Sequence, residues 1–189
     1  VGSEMCIRDR DEVANMSYIL QKKIANTFRE QIMKKGFNHV SVSSLMRILD
    51  IRRQTFYDSF QDKYDLLEWQ LNDTLEETID NNIDYLHWKE ILKLFIYEID
   101  AHKRYYYECL TVQTEVNVAD IFATHLVVLL AHVLERQELI SNKKAQDNMW
   151  ILCLGISTTI IHNVTTPNPV DYELIVKQAI NAIEYSFES

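Results

Sequence analysis

The sequence predicts an all-α protein in which an N-terminal three-helix unit of helix-turn-helix type is joined to a larger helical domain. Three observations predict it. Among 189 residues there are three glycines and two prolines, too few for the tight turns of hairpin-rich β structure. Apolar residues recur at helical spacing along segment after segment. The hydrophobic share is 47%, which gives each helix a face to bury.

Residues 1–16 read as a leader that is partly not native. The run VGSEMCIRDR resembles translated sequencing-adapter read-through, and VGSEMCIRDRDE has no apolar core segment of a signal peptide. Ser17, a good N-cap, then starts a first helix that runs to Lys35, where Gly36 supplies a left-handed residue to stop it. Leu20, Ile24, Phe28 and Ile32 fall four apart and Ala25 widens their stripe, so one face is buried. Lys22, Lys23, Arg29, Lys34 and Lys35 lie off that stripe, on a face that is either simply solvated or in contact with phosphates.

Phe37 to Val40 is a short connection, and Ser41 caps a second helix whose apolar positions are Val42, Leu45, Met46 and Leu49. Asp50 and Ile51 make the turn into a third helix, Arg52 to Phe60. There Phe56 and Phe60, four apart, must face inward, which turns Arg53, Gln54 and Tyr57 to the other side. The outward face, Arg52, Arg53, Gln54, Thr55 and Tyr57, has the geometry a major groove accepts. Guanidinium and amide groups bond base edges bidentately, while a phenol or a lysine suits a phosphate oxygen.

Asp62 is the expected N-cap of a long helix reaching about Asn82, with Leu66, Leu67, Trp69, Leu71, Leu75 and Ile79 on its apolar face. The domains are expected at 17–67 and 68–189, with this helix passing from the first into the second so that movement of one is felt by the other. Further helices are expected at Trp88 to His102, Arg104 to Thr111, Asp120 to Gln137, Lys143 to Val164 and Pro169 to Phe187. Trp150 to Val164 is apolar nearly all round. The last helix carries two stripes: Tyr172, Val176, Ile180, Ile183 and Phe187 form one, and Ile175, Ala179, Ala182 and Ser186 form the other. Two stripes need two partners, and the simplest arrangement pairs the last two long helices with the same two of a second subunit about a two-fold axis.

The net charge of -9 hides a split. From Tyr18 to Phe60 eight basic residues face three acidic ones, while from Gln61 onward nine face 21, so only the first third would attract a phosphate backbone. Cys6, Cys109 and Cys153 lack the spacing of a zinc or redox site and read as reduced thiols of a cytoplasmic protein. No uncharged apolar run reaches the ~18 residues of a membrane span, so no membrane is expected as a partner. Gly155 stands alone in an apolar run, so no glycine-rich phosphate loop exists. No serine, cysteine or carboxylate pair sits in a catalytic arrangement. No enzyme activity and no cofactor are expected.

Cys109, His125, His132, Cys153 and His162 supply donor types for a metal sensor. His125 and His132 are two helical turns, ~10.5 Å, apart, too far to share one ion. Trp88, Phe95, Tyr106, His125 and Trp150, with Tyr105 and Tyr107, are candidates to line a ligand pocket between helices or to fill an aromatic core.

The run from Lys23 to Leu67 resembles the DNA-binding domain of the TetR/AcrR family of bacterial transcription regulators. It has a first helix ending in K-G-F, a serine-capped second helix, and the signature T-[LF]-Y-x-x-F-x-[SDN]-K-x-x-L-L, here Thr55 to Leu67. Gln54 stands where the family usually has a small residue, and Asp50 where glycine is common. The segment Ile51 to Tyr57 together with Asp84, Tyr85 and Trp88 is similar to the Firmicutes-type branch that includes regulators of dihydroxyacetone-kinase and metal-efflux operons.

The resemblance implies a homodimer bound to double-stranded operator DNA. Each monomer would place Arg52 to Tyr57 in a major groove, with Ser43, Tyr57 and Lys63 bonding phosphates and Arg53, Gln54 and Thr55 nearest the bases. A small-molecule or protein effector would act on the acidic domain, with either sign of regulation open. The alternatives are a helical protein-binding adaptor of the same fold that does not bind DNA, and a metal-sensing regulator.

Overall fold

The computed structural model describes the backbone of residues 2–112, 115–136, 138–139 and 143–188, and their side chains from residue 17 on except 144, 145 and 188. All regular elements among the described residues are helical: α1 (Gly2–Lys35), α2 (Val42–Leu49), α3 (Arg53–Tyr57), α4 (Lys63–Thr78), α5 (Trp88–Ala101), α6 (Lys103–Leu110), α7 (Val118–Glu135), α8 (Lys143–Thr165) and α9 (Tyr172–Glu188), with single 3-10 turns at Phe37–His39 and Asp80–Asn82. The chain divides into two units, Val1–Gln70 and Leu71–Ser189.

In the first unit, Ile24, Ala25, Phe28 and Ile32 of α1 are fully buried, as are Leu45 and Met46 of α2, Phe56, Phe60, and Leu66 and Leu67 of α4, with α1 lying on α2 and α2 on α3. Helix α1 starts well before Ser17, at Gly2. The residues after Gly2 contain no proline or glycine to interrupt the helix, so a polar Ser17 inside it has no cap to form. The side chains of residues 1–16, Cys6 among them, lie outside the described residues. Gly36 does stop α1 with a positive φ, but its ψ of 153° places it in extended mirror-image territory rather than the left-handed helical region. Its N–H still closes the helix on Ile32 O at 2.8 Å.

Helix α3 is shorter than expected, ending at Tyr57. Phe60 N–H still bonds Phe56 O at 2.9 Å, after which Asp62 and Asp65 take over. Asp62 Oδ1 accepts from the N–H groups of Tyr64 and Asp65 at 2.8 and 3.0 Å, and Asp65 returns to Gln61 N–H at 2.8 Å. This reciprocal cap starts α4 and forces the chain out of α3.

In the second unit, α4 stops at Thr78 and the 3-10 turn covers the stretch to Asn82. Asn82 Nδ2 bonds the carbonyls of Glu77 and Thr78 at 3.0 and 3.1 Å, capping α4 from beyond its end. Helix α7 lies most extensively along α8, and α9 lies on α5 and α8. By length and composition α7 could cross a membrane, with a mean hydropathy of 1.7 over Val118–Glu135. Its Ile121, Phe122, Leu126, Leu129, Leu130 and Val133 are instead buried inside this unit, as in a core helix. It begins at Val118, ahead of the expected Asp120, because Asn117 Oδ1 caps it through Asp120 N–H. The expected end at Gln137 lies outside the described residues.

Helix α9 begins at Tyr172 rather than Pro169. Asn163, 4% exposed, pairs through its amide with both backbone groups of Val170, at 2.8 and 3.1 Å, and Asp171 Oδ1 then caps α9 through Glu173 N–H at 2.9 Å. Helix α8 buries Cys153, Ile156, Ser157, Ile160 and Val164, but not its whole circumference: Trp150 is 44% and Ile151 68% exposed, and a Cβ built on Gly155 meets nothing within 4 Å. Cys109 and Cys153 are fully buried thiols outside any disulfide among the described residues, and burial pushes the Cys153 thiol up to about 12.

Candidate nucleic-acid interface

The site is built by α2, the turn after it, and α3. Ser41 and Ser44 form a reciprocal capping box at the head of α2: Ser44 N–H donates to Ser41 Oγ at 3.2 Å and Ser41 N–H to Ser44 Oγ at 3.3 Å. At its foot Asp50 adopts φ 54° and ψ 43°, the left-handed conformation that glycine usually supplies. Asp50 N–H bonds Arg47 O at 3.3 Å and Ile51 N–H bonds Met46 O at 3.0 Å, so the paired terminal bonds of a glycine stop are made by an aspartate. Aspartate tolerates this region better than most residues, and the departure at Asp50 leaves the turn intact.

Aromatic rings fix the angle of α3. Phe56 is fully buried, with Tyr57 and Phe60 each 5.4 Å away between ring centroids, and Phe60 meets Trp69 at 5.8 Å. The opposite face is in solvent, where Arg52, Arg53, Gln54 and Tyr57 are exposed while Thr55 is half-buried; Ser43 is exposed on α2. Two of these side chains are already engaged along the helix. Arg53 donates from Nη2 and Nε to Tyr57 Oη at 2.8 and 3.3 Å, and Gln54 Nε2 reaches Asp58 Oδ1 at 3.5 Å.

Lys63 departs from the phosphate role expected of it. Its ammonium donates to Phe37 O and Val40 O, both at 3.3 Å, and lies 4.4 Å from the centre of the Phe37 ring. Phe37 O already accepts from Val40 N–H at 3.1 Å and has a second lone pair to offer, and a four-carbon stem lets the ammonium reach both it and Val40 O. Partial burial holds the Lys63 pKa below its ordinary value. Lys63→Met keeps the stem and removes the donors. It is expected to cost about 1 kcal/mol in urea unfolding while leaving the salt dependence of DNA binding unchanged. A phosphate contact would instead lower that slope by about one.

Sequence reasoning missed the buried tie from Gln70 Nε2 to Ala25 O, 2.8 Å, which locks α4 across α1. Its signal was available: Gln70 stands three and four residues after Leu67 and Leu66, inside the apolar stripe.

The ligand-lining candidates of the second unit separate. Phe95 and Tyr106 meet the same ring, Phe122, at 5.2 and 6.0 Å, in edge-to-face arrangements, and both are buried, as is Trp88. They fill a core. Trp150 stands on the exposed side of α8. His125 is 8% exposed, its Nδ1 3.0 Å from Asp80 Oδ2 and its Nε2 3.2 Å from Asn72 Oδ1. On the same face of α7, His132 Nε2 is 3.5 Å from Asp84 Oδ1 and Arg136 Nη1 donates to Ile83 O at 3.2 Å. Among the described residues no group of three or more histidine, cysteine or carboxylate side chains could hold a metal, and the donors at Cys109, His125, His132, Cys153 and His162 do not converge.

Comparison with known proteins places this geometry. The structure superposes on one described as the dihydroxyacetone kinase operon activator DhaS with a TM-score of 0.74 and 25% identity, covering 90% of this chain and 97% of that one. A TetR transcriptional regulator from Streptococcus agalactiae 2603V shares the fold at a TM-score of 0.58 and 16% identity, covering 95% of this chain and 99% of that one. In sequence, 134 residues are 32% identical to the HTH-type dhaKLM operon transcriptional activator DhaS of Lactococcus lactis subsp. lactis (strain IL1403), covering 71% of this chain and 68% of the relative.

The chain belongs to the TetR family of transcription regulators. No protein-family model matches it. As a TetR-family member it is a regulator of transcription and not an enzyme, and the signature from Thr55 to Leu67 spans the end of α3 and the start of α4.

Proposed function

We propose that this chain acts as a homodimeric, sequence-specific DNA-binding regulator that places α3 in a major groove and responds to an effector received by its second unit. One observation carries the reading: α3 buries Phe56 and leaves Arg52, Arg53, Gln54 and Tyr57 exposed on its outer side, within the segment Tyr18 to Phe60 where eight basic residues face three acidic ones. Ser43 and Tyr57 are the phosphate contacts and Arg53, Gln54 and Thr55 lie nearest the bases. The relatives named as activators of a dihydroxyacetone kinase operon favour positive control of an operon of that kind.

Pairing through α8 and α9 is supported by an open apolar groove between them, lined by Ile151, Leu152, Gly155, Ile156, Ile175 and Ala179. Exposed Ile151 and Tyr185, at 68% and 77%, stand on these two helices. An apolar surface of this kind is what an isologous interface covers.

The test is to titrate salt in a binding assay with duplexes from upstream of the gene while following the sedimentation of the protein. The expected results are a dimer whose log affinity falls with log salt by about 0.9 for each phosphate neutralised, and an Ile151→Glu variant that sediments as a monomer with weakened binding. A dimer with no salt-dependent affinity for any duplex would mark a protein-binding adaptor instead.

A further inference from the structure

We infer that Arg53 and Tyr57 form one reading unit that selects guanine, with Tyr57 as the positioning residue that decides which edge of the guanidinium meets the base. The inference rests on the DNA-binding reading above and goes beyond it by assigning the base and the geometry of its recognition.

Arg53 and Tyr57 are four apart on α3, so their side chains lie one above the other. The phenol oxygen accepts from both donors on one side of the guanidinium, Nη2 at 2.8 Å and Nε at 3.3 Å. The guanidinium carbon also sits 5.4 Å from the centre of the Tyr57 ring, within the range of attraction between a cation and an aromatic face. Two kinds of contact therefore hold one long side chain in one place, on an exposed surface where it would otherwise explore many rotamers.

What remains available follows from the donor inventory. A guanidinium offers two two-pronged edges: a side edge made by Nε and one hydrogen of Nη2, and an end edge made by Nη1 and the other hydrogen of Nη2. The side edge is taken by Tyr57. The end edge is left, and it presents two parallel N–H donors. In the major groove, guanine alone offers two neighbouring acceptors, O6 and N7, that match such a pair; adenine pairs an acceptor with a donor, and the pyrimidine edges carry a single polar group. A guanidinium fixed end-on thus fits guanine and meets a repelling N6 amino group on adenine. The phenol keeps its own proton, which suits a phosphate oxygen, so one tyrosine can anchor the backbone and aim the base reader together.

The test uses the full-length protein and a randomised duplex pool, with sites selected in parallel by the wild type, Arg53→Lys and Tyr57→Phe. Tyr57→Phe keeps the ring and removes only the acceptor, and melting curves confirm that each variant is folded. The wild type is expected to enrich a guanine at one fixed position of each half-site. Arg53→Lys keeps the charge without the fork and should lower that preference by about tenfold or more. Tyr57→Phe should lower it at the same position by about three- to tenfold, with preferences elsewhere unchanged.

The inference is overturned if Tyr57→Phe weakens all duplexes alike while the guanine preference stays whole, since Tyr57 is then a backbone anchor only. It is overturned equally if Arg53→Lys alters no guanine position. If the wild type retains no duplex in a salt-dependent way, the DNA-binding reading itself fails, an outcome separate from the other two.

Discussion

Phe56→Ala is expected to abolish DNA binding without touching a single outward side chain. Phe56 is fully buried and is the ring against which both Tyr57 and Phe60 rest. Truncating a buried phenylalanine costs about 3 to 5 kcal/mol, partly from lost burial and partly from the cavity left behind. The first unit closes at Gln70, and a unit of that size holds only about 3 to 10 kcal/mol in total. Helix α3 is five residues long and cannot hold its shape by hydrogen bonding alone. Hydrogen exchange over residues 42–60 should therefore accelerate sharply and binding should vanish, while Phe56→Leu retains most of both. Unchanged exchange in the alanine variant would mean that α3 is held by something other than this ring.

Phe122→Ala should produce the largest thermal effect in the second unit. The side chain is 1% exposed and meets the rings of Phe95 and Tyr106 in edge-to-face arrangements. Loss of its volume should again cost about 3 to 5 kcal/mol, and for a unit of this size that lowers Tm by roughly 10 to 20 °C. Calorimetry decides the matter. A fall of only a few degrees would show that the rings border space a ligand could use, returning Phe95 and Tyr106 to the role of pocket lining. The full drop marks them as the close-packed centre of the unit.

Much of this molecule was readable in its residues because the signals were local. Ser41 and Asp62 are caps whose partners lie within three residues, and the stripe Ile24, Phe28 and Ile32 needs only the helical period. The features that escaped are those whose partners are distant in sequence or whose direction depends on them. Lys63 reads as an outward cation until the carbonyls at Phe37 and Val40 come within its reach, and Gln70 needs Ala25. The grip of His125 and Arg136 on Asp80 and Ile83 spans 45 and 53 residues. Trp150 shows the reverse error, since an aromatic residue in an apolar run suggests an interior and the structure leaves it 44% exposed.

Gly155 lies in the middle of α8. A glycine within a helix is about 1 kcal/mol worse than alanine, and here the missing methyl would meet nothing within 4 Å beyond its own turn of helix. Crowding inside one chain therefore gives no reason to omit it. Taken alone the chain would be sturdier with alanine; under the proposed pairing of α8 and α9, the open space at this position is room for a neighbour's backbone to come close.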